Sequence, residues 1–289
     1  MSPQLSIITP IYNRAEYITR CYHNLLQQSY SDWEWIVVDD GSSDNTVEII
    51  KNIHDDRIHL KSWQENKGRG FARTQALNAC KGKWVVIWDS DDLHFPDRLE
   101  QIDRAQQQGY DFFCSYAVVV DNNFNIKGIR GFYPESKRFP GSFVHTTMAC
   151  HLEIAKNIGY RPGLKAGEDL SILWTLSSKF KGMYFKDALS IFHLTDTSLN
   201  HAIECNLGHH AQLREFHKKG IITGLANYIE IKIKYLAKLL LLFSLRICPS
   251  VHQKLTSLSS KGEVDSEWKL SRKRIEFIEN LKDCISQSK

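Results

Sequence analysis

The sequence lacks the cysteine patterns that hold zinc ribbons and disulfide-stapled proteins together. Its seven cysteines are odd in number, lie far apart and form no Cys-x-x-Cys pair. The first residues show no basic segment followed by a long apolar run, so no secretory signal is expected. These absences predict a protein of the reducing cytoplasm.

Glycine-rich phosphate-binding loops are also missing. No Gly-x-Gly-x-x-Gly joins the first apolar run to the helix after it, which disfavours a dehydrogenase-type dinucleotide site, and no P-loop is present. The composition, 42% hydrophobic and 24% charged residues, is otherwise that of a globular protein. It allows one large core, with or without a smaller appendage.

Positive charge is concentrated towards the C-terminal end. From residue 206 onward, 15 Lys and Arg residues face 8 Asp and Glu residues, whereas the preceding part carries a small net negative charge. A basic segment of this kind favours an anionic surface as its partner. No nucleic-acid partner is expected.

Apolar runs alternate with helical patterns over the first 100 residues. The patterns predict strands at 5–10, 33–38 and 84–88, a weaker strand at 57–63, and helices between them at 16–28, 47–53 and 68–80. Because the strong strands are mainly apolar runs rather than alternating ones, they favour a parallel sheet with helices on both faces. Ligands of such sheets lie beyond the carboxyl ends of the strands.

An acidic cluster follows directly after the third of the strong strands. Asp89, Asp91 and Asp92 repel one another and are costly to bury unless a positive charge lies among them. An Asp-x-Asp pair at a strand end suits Mg²⁺ or Mn²⁺, although a polar turn before the next helix also fits. His94, where an EF-hand loop needs Gly, and Leu93, where Asp-x-Asp-x-Thr phosphatases have a hydroxyl, disfavour those two classes.

Three strand ends carry polar loops. They are residues 12–14, 39–43 and 89–92. If the strands are parallel, the three loops face one crevice. The Asp39-Asp40-Gly41 segment alone would also be explained by a simple turn, so the expectation depends on the convergence of all three.

Four motifs, in order along the chain, resemble the signatures of family 2 glycosyltransferases. They are Ser-Ile-Ile-Thr-Pro-Ile-Tyr-Asn-Arg, Trp-Ile-Val-Val-Asp-Asp-Gly-Ser-Ser-Asp-Asn-Thr, Asn66-Lys67-Gly68 with Ala72-Arg73, and Trp-Asp-Ser-Asp-Asp. The resemblance covers about residues 4–200. It implies an α/β fold of GT-A type, with a mostly parallel sheet flanked by helices and a C-terminal helical extension.

The resemblance also implies roles for individual residues. The donor pocket for a nucleotide-sugar would include Pro10, Tyr12, Asn13, Asp40, Arg73, Asp89 and Ser90. Asp40 would accept a hydrogen bond from the base, and Asp89 would face the ribose or the donor sugar. Asp91 would bind the Mn²⁺ or Mg²⁺ ion that bridges the two phosphates.

A Glu-Asp pair precedes a helix predicted at 170–177. Such a pair also fits a plain N-terminal helix cap. By the resemblance, Asp169 is the general base and Glu168 supports it or contacts the acceptor. A sugar hydroxyl is a weak nucleophile until a carboxylate takes its proton, and one base with in-line displacement predicts inversion at the anomeric carbon.

Histidines later in the chain give weaker signals. His193 lies where the family has Arg in an imperfect match over residues 191–200, which implies a diphosphate or metal role; a packed histidine is the alternative. His201, Cys205 and His209 share a helical face. A solvated helix face is favoured over a metal site there, because no fourth ligand is evident.

The sequence divides into two parts of different composition. Residues 1–205 are predicted to form the catalytic domain, with a nucleotide-binding half at 1–100 and an acceptor half at 101–205, and 206–289 a basic helical extension. Its segment 221–248 has an apolar part too short to span a bilayer, so a helix at the membrane interface is predicted. Packing on the catalytic domain or on a second subunit is the alternative. A last helix is predicted at 263–288.

The combined expectation is an inverting glycosyltransferase at the cytoplasmic face of a bacterial membrane. Its donor would be a UDP-sugar, and its acceptor a saccharide or a lipid-linked molecule of surface polysaccharide synthesis. One alternative, a sugar nucleotidyltransferase, would need a glycine-rich basic loop after the first strand. The other, a silent nucleotide-sugar-binding protein, would have no use for Asp169 as a base.

Overall fold

A parallel block of strands forms the first part of the sheet. The computed structural model describes residues 2–132, 143–164, 166–193, 199–247 and 270–287. Its first elements are β1 (Leu5–Ile11), α1 (Ala15–Leu26), β2 (Trp33–Asp39), α2 (Thr46–Lys51), β3 (Ile58–Ser62), α3 (Arg69–Ala79) and β4 (Trp84–Ile87). The strands lie in the order β3-β2-β1-β4 and all pair in parallel. Every residue of β2 and β4 is buried. β4 is apolar throughout, as expected of a strand buried on both faces, whereas β2 also buries Glu34 and Asp39.

The second part of the sheet mixes both strand directions. It contains β5 (Leu93–His94), α4 (Arg98–Gln107), β6 (Phe112–Val120), β7 (Ile126–Arg130), β8 (Ala149–His151), α5 (Leu152–Ile158), α6 (Leu170–Lys179) and β9 (Gly182–His193). The order continues as β4-β8-β6-β9-β5, with β7 paired to β6. Only β6 and β9 pair in parallel among these described strands. The result is a mixed sheet whose parallel block carries the acidic loops.

The C-terminal helices pack on this sheet domain. They are α7 (Leu199–Lys218), α8 (Leu225–Ile247) and α9 (Arg272–Gln287). Ile231 of α8 joins the core formed with α3, α5 and α6. Ile278 of α9 is buried beside Leu93 and Phe95, and Arg274 of α9 donates to Asp97, 2.7 Å from its Oδ2. One face of the extension therefore packs on the catalytic domain.

The described residues do not test the predicted domain boundary. The predicted division at residue 205 lies inside the continuous helix α7, and it stays a prediction. Residues 263–269 of the predicted last helix lie outside the described residues. Within the described ranges, no helix has the length and apolarity needed to cross a bilayer.

Candidate active site

The acidic loop follows β4. The buried apolar residues of this strand continue to Trp88, and the loop begins after it. Asp92 is buried, whereas Asp89 and Asp91 are partly exposed. Burial, followed by the charges of Asp91 and Asp89, raises the pKa of Asp92 well above its usual value; the nearby backbone N–H of His193 acts in the opposite direction. Burial and the charge of Asp89 also raise the pKa of Asp91. The loop thus concentrates negative charge that a cation would relieve.

Asp91 is the carboxylate of the loop best placed to receive a metal ion. Asp89 is paired with Arg73, at 3.1 Å, whereas the described residues offer the Asp91 carboxylate no ion pair and no side-chain hydrogen bond. Carboxylate oxygens suit Mg²⁺ and Mn²⁺. The described residues contain no group of three His, Cys, Asp or Glu side chains arranged around one ion. An ion at Asp91 would therefore take at most one further ligand from the described side chains and the rest from phosphate and water, which is how Mg²⁺ usually binds.

A buried arginine lies behind the acidic loop. Arg98, at the start of α4, is fully buried and its Nη2 donates to the carbonyls of Ile87 (3.0 Å) and Thr146 (2.7 Å). Its Nη1 lies 3.0 Å from Nδ1 of His94. Burial lowers the pKa of Arg98 to about 9, against the opposing charges of Asp92 and Asp89. Sequence reasoning missed this residue, whose positive charge offsets the loop and whose hydrogen bonds tie the end of β4 to the 145–147 turn.

Arg73 joins the acidic loop to the Glu168-Asp169 segment. Its Nη1 donates to Oε1 of Glu168, and its Nη2 lies 3.1 Å from Oδ1 of Asp89. Burial disfavours the guanidinium charge, but Asp89 and Glu168 together raise the pKa of Arg73 above its usual value. Burial raises the pKa of Asp89, but Arg73, with His145 and Arg69, outweighs burial, so that the pKa is lowered overall. Arg73 thus brings together motifs that lie about 80 residues apart in the sequence.

The predicted base, Asp169, directly precedes α6 but does not cap it. Its side chain makes no capping hydrogen bond to the described helix, so the cap alternative is not what the structure shows. Burial, followed by the charge of Glu168, raises the pKa of Asp169 to about 6. A carboxylate whose pKa is near neutrality, and whose oxygens are not used to cap a helix, has the properties of a general base.

The loops predicted to hold the nucleotide are joined to each other. Asp40 is buried and accepts hydrogen bonds from Nε1 of Trp63 (2.8 Å) and from the backbone N–H groups of Lys67 (2.9 Å) and Gly68 (2.8 Å). A carboxylate offers about four acceptor sites, so room for one further donor remains. Asp40 therefore orders the 66–68 loop, and its contact with a base stays a prediction.

Asn13, Tyr12 and Pro10 occupy the edge of the same crevice. Asn13 has a φ of 52°, and its side-chain oxygen accepts a hydrogen bond from the N–H of Ser43 at 2.8 Å. Its amide thus connects the first loop to the second. Tyr12 is 46% exposed, and Pro10 is partly exposed within β1, so both remain accessible to a ligand.

The histidines lie at two different places. His193 packs edge-on against Phe124, with ring centroids 4.6 Å apart, and its buried Nε2 has no hydrogen-bond partner among the described residues. Burial, with the charge of Arg20, lowers its pKa to about 4, so the ring is neutral as a metal ligand must be. Its metal role stays a prediction, and Thr195 and Ser198 of the same motif lie outside the described residues.

The helical face with Cys205 and His209 is not the solvated surface that the sequence favoured. A Cβ added to Gly167 would lie 2.6 Å from Cδ2 of His209 and 3.1 Å from the carbonyl oxygen of Cys205. This face of α7 is therefore packed against the loop that leads to Asp169, and that interpretation was wrong. The side chain of His201 lies outside the described part of the chain.

Comparison with known proteins identifies the family. The family described as "Glycosyl transferase family 2" matches residues 6–163. The chain belongs to glycosyltransferase family 2. The match spans the acidic loop and Arg73 and ends just before the Glu168-Asp169 segment, and it confirms the resemblance drawn from the four motifs.

Curated relatives of this glycosyltransferase are themselves described as glycosyltransferases. It is 31% identical to the putative teichuronic acid biosynthesis glycosyltransferase TuaG of Bacillus subtilis (strain 168), over 68% of this chain and 82% of the relative. It is 35% identical to the UDP-Glc:alpha-D-GlcNAc-diphosphoundecaprenol beta-1,3-glucosyltransferase WfgD of Escherichia coli, over 41% of this chain and 47% of the relative. The chain is thus an enzyme of the glycosyltransferase class.

Solved structures of two other glycosyltransferases share the fold. The S. aureus TarS fragment 1–349 in complex with UDP-GlcNAc has a TM-score of 0.62 at 19% identity, covering 82% of this glycosyltransferase and 72% of TarS. The mannosyltransferase PcManGT of Pyrobaculum calidifontis, in complex with GDP-Man and Mn²⁺, has a TM-score of 0.60 at 17% identity, covering 91% and 77%. The predicted α/β fold of GT-A type, with a helical C-terminal region, is confirmed.

Proposed function

We propose that this glycosyltransferase moves a sugar from a nucleotide-sugar donor, a UDP-sugar, to a saccharide or lipid-linked acceptor in bacterial surface polysaccharide synthesis. The observation that supports this most is the bridge from Arg73 to Asp89 and Glu168, since it joins two carboxylates that the proposal assigns to the donor side and to the acceptor side. WfgD is named for a UDP-Glc donor and a diphosphoundecaprenol-linked acceptor, and TarS binds UDP-GlcNAc.

The roles follow from the surroundings of each group. Asp91, with His193 as a second ligand, would hold Mn²⁺ or Mg²⁺, which would stabilise the charge of the departing diphosphate. PcManGT was solved with Mn²⁺. Asp169 would take the proton of the acceptor hydroxyl as it attacks the anomeric carbon. One base and one displacement give inversion, so an α-linked donor would yield a β-linked product.

The donor pocket in this proposal is the crevice between the first two loops and the acidic loop. Tyr12 and Pro10 present accessible surfaces to the nucleotide, while Asn13 and Asp40 fix the loops that surround it. Asp89 and Ser90 lie next to Asp91 on the sugar side. Membership of the glycosyltransferase family disfavours the nucleotidyltransferase alternative. Asp169, whose side chain does not cap α6, disfavours a silent binding protein.

Donor binding tests the proposal directly. A thermal-shift screen of nucleotide-sugars with Mn²⁺ is expected to raise the melting temperature for one donor class, because a ligand at a hundred times its Kd stabilises the folded state by about 2.7 kcal/mol. Mn²⁺ alone and the free nucleotide serve as controls. A panel of UDP-, GDP-, dTDP- and CMP-sugars that all leave the melting temperature at the Mn²⁺ value would contradict the proposal.

We also propose that the extension contacts an anionic membrane surface through α8. The outer face of this helix carries large apolar residues that are 42% to 64% exposed: Leu225, Ile229, Ile233, Leu236, Leu240 and Phe243. Lys232, Lys234 and Lys238 are exposed on the same helix. An apolar stripe beside lysines is the pattern of a helix that lies in the membrane interface.

Vesicle binding tests this contact. The double variant Ile233→Ser with Leu240→Ser is expected to bind vesicles of phosphatidylethanolamine and phosphatidylglycerol about tenfold or more weakly, because two large side chains lose their apolar burial. The matched control is Ala226→Ser with Ala237→Ser, two exposed positions of the same helix. Equal flotation of both double variants would rule the apolar stripe out as the membrane contact.

A further inference from the structure

Helix α7 is fixed to the loop that carries the proposed base. Nε2 of Gln212 donates to the carbonyl of Gly167 at 3.0 Å, and a Cβ on Gly208 would lie 2.1 Å from the carbonyl oxygen of Ala166. Contacts this close join the helix backbone to the loop backbone. Asp169 lies two residues after Gly167, so the C-terminal extension helps to set the position of the base.

Helix α8 adds an aromatic residue to the contact between α7 and the base loop. The rings of His209 and Tyr235 meet edge to face, with centroids 5.6 Å apart, and His209 itself lies against Gly167. Burial, followed by the charge of Asp169, raises the pKa of Tyr235 to about 12. The Tyr235 hydroxyl therefore stays protonated and can donate a hydrogen bond to an acceptor.

Lys238 lies one turn beyond Tyr235 on α8. It belongs to the polar stripe Asn227, Glu230, Lys234 and Lys238, which separates the packed face of α8 from its exposed apolar face. Nζ of Lys234 lies 3.0 Å from Oε1 of Glu230, whereas Lys238 is exposed and has no ion pair within the described residues. The charge of Lys238 adds to burial in lowering the pKa of His209 to about 4, in keeping with its position one turn beyond Tyr235, the residue that contacts His209.

Helix α8 therefore has three surfaces with different chemistry. Its outer face is apolar, its inner face contacts the base loop through His209, and the stripe between them ends in a cation. A helix is about 10–12 Å across with its side chains, so a group at the membrane surface on the outer side is within one helix diameter of the inner side. An acceptor that is anchored in lipid and carries negative charge next to its sugar fits all three surfaces.

We propose that the α7–α8 pair forms the acceptor side of the active site, and that Lys238 and Tyr235 bind the diphosphate of a prenyl-diphosphate-linked sugar. This inference rests on the proposed function and deepens it by naming the acceptor class. Lys238 would hold the diphosphate at the edge of the membrane. The Tyr235 hydroxyl would donate to the first sugar or to the phosphate that carries it, so that the acceptor hydroxyl reaches Asp169.

The test measures the affinity of the full chain for two kinds of vesicle. One kind contains phosphatidylcholine and a prenyl diphosphate, and the other contains phosphatidylcholine with the same charge supplied by phosphatidylglycerol. Mn²⁺ is left out, so that the donor site does not capture the diphosphate. Lys238→Gln is expected to lower the ratio of the two affinities about tenfold, since a charge-assisted contact is lost, and Tyr235→Phe is expected to lower it about threefold.

Lys232→Gln is the matched control, because Lys232 is an exposed lysine of α8 outside the polar stripe. It should weaken binding to both vesicles alike, as any lysine near an anionic surface does, and leave the ratio unchanged. A ratio that Lys238→Gln leaves unchanged would overturn the inference. Donor thermal shifts separate the two proposals: if a nucleotide-sugar stabilises the wild type while the ratio does not respond to Lys238→Gln, only the acceptor assignment fails.

Discussion

Replacing Asp169 with asparagine is expected to lower sugar transfer by about a thousandfold, within the range that general-base catalysis contributes. The amide has nearly the same shape but cannot take a proton from the acceptor hydroxyl. Donor binding should change little, because the proposed role of Asp169 is toward the acceptor and not toward the donor. The measurement is kcat for transfer, set beside the donor thermal shift of the same variant.

The pH profile gives the same prediction a second readout. Since the pKa of Asp169 is raised to about 6, the carboxylate is the basic form above that pH and the protonated, inactive form below it. Transfer by the wild type should therefore fall as the pH drops through about 6. The residual transfer of Asp169→Asn should show no such acid limb. A variant with wild-type turnover, or one that keeps the acid limb, would assign the base to another group.

Glu168→Gln is the matched control for this experiment. Glu168 is buried and bound to Nη1 of Arg73, so the variant keeps the shape of the site and weakens one ion pair. Removing one partner of a buried pair costs about 3–5 kcal/mol, which predicts a lower melting temperature. The acid limb should be retained but move to lower pH, because the charge of Glu168 contributes to raising the pKa of Asp169. The two adjacent acids are thus distinguished by which property each substitution changes.

The parallel half of the fold was predictable because its signals are local. β2 and β4 are buried on both faces, so their sequences are mainly apolar, with Glu34 and Asp39 as the exceptions in β2, and the loops after them are polar. The strands β8 and β9 were not predicted. β8 has three residues, and the first half of β9 is largely only partly buried, so neither shows a strong pattern of its own. Their pairing depends on the completed sheet.

The candidate site shows the same division. Motif order pointed to Asp40, Asp91, Arg73 and Asp169, whereas Arg98 carries no signal in the sequence that separates it from a surface arginine of a helix. Its hydrogen bonds run to carbonyls of Ile87 and Thr146, and backbone carbonyls are present at every position of any sequence. Partners of this kind become visible only when the chain is folded.

Replacing Asp91 with asparagine is expected to lower Mn²⁺-dependent transfer by about a thousandfold, because a lost metal contact removes several kcal/mol of stabilisation from the departing diphosphate. Asp91 is partly exposed, and the described residues give its carboxylate no other partner, so the loss should fall on metal binding rather than on folding. The measurements are a Mn²⁺ titration of transfer and a Mn²⁺ titration of the donor thermal shift.

Asp92→Asn is the control that makes this prediction specific. Asp92 adjoins Asp91 but is buried, and burial with the two neighbouring charges already raises its pKa, so a neutral amide is a small change there. We therefore expect Asp92→Asn to keep its Mn²⁺ dependence. If Asp92→Asn loses Mn²⁺ dependence and Asp91→Asn retains it, the ion binds at the buried carboxylate. The assignment of the metal to the more exposed Asp91 is then wrong. If both variants respond to Mn²⁺ as the wild type does, the acidic loop is not the metal site.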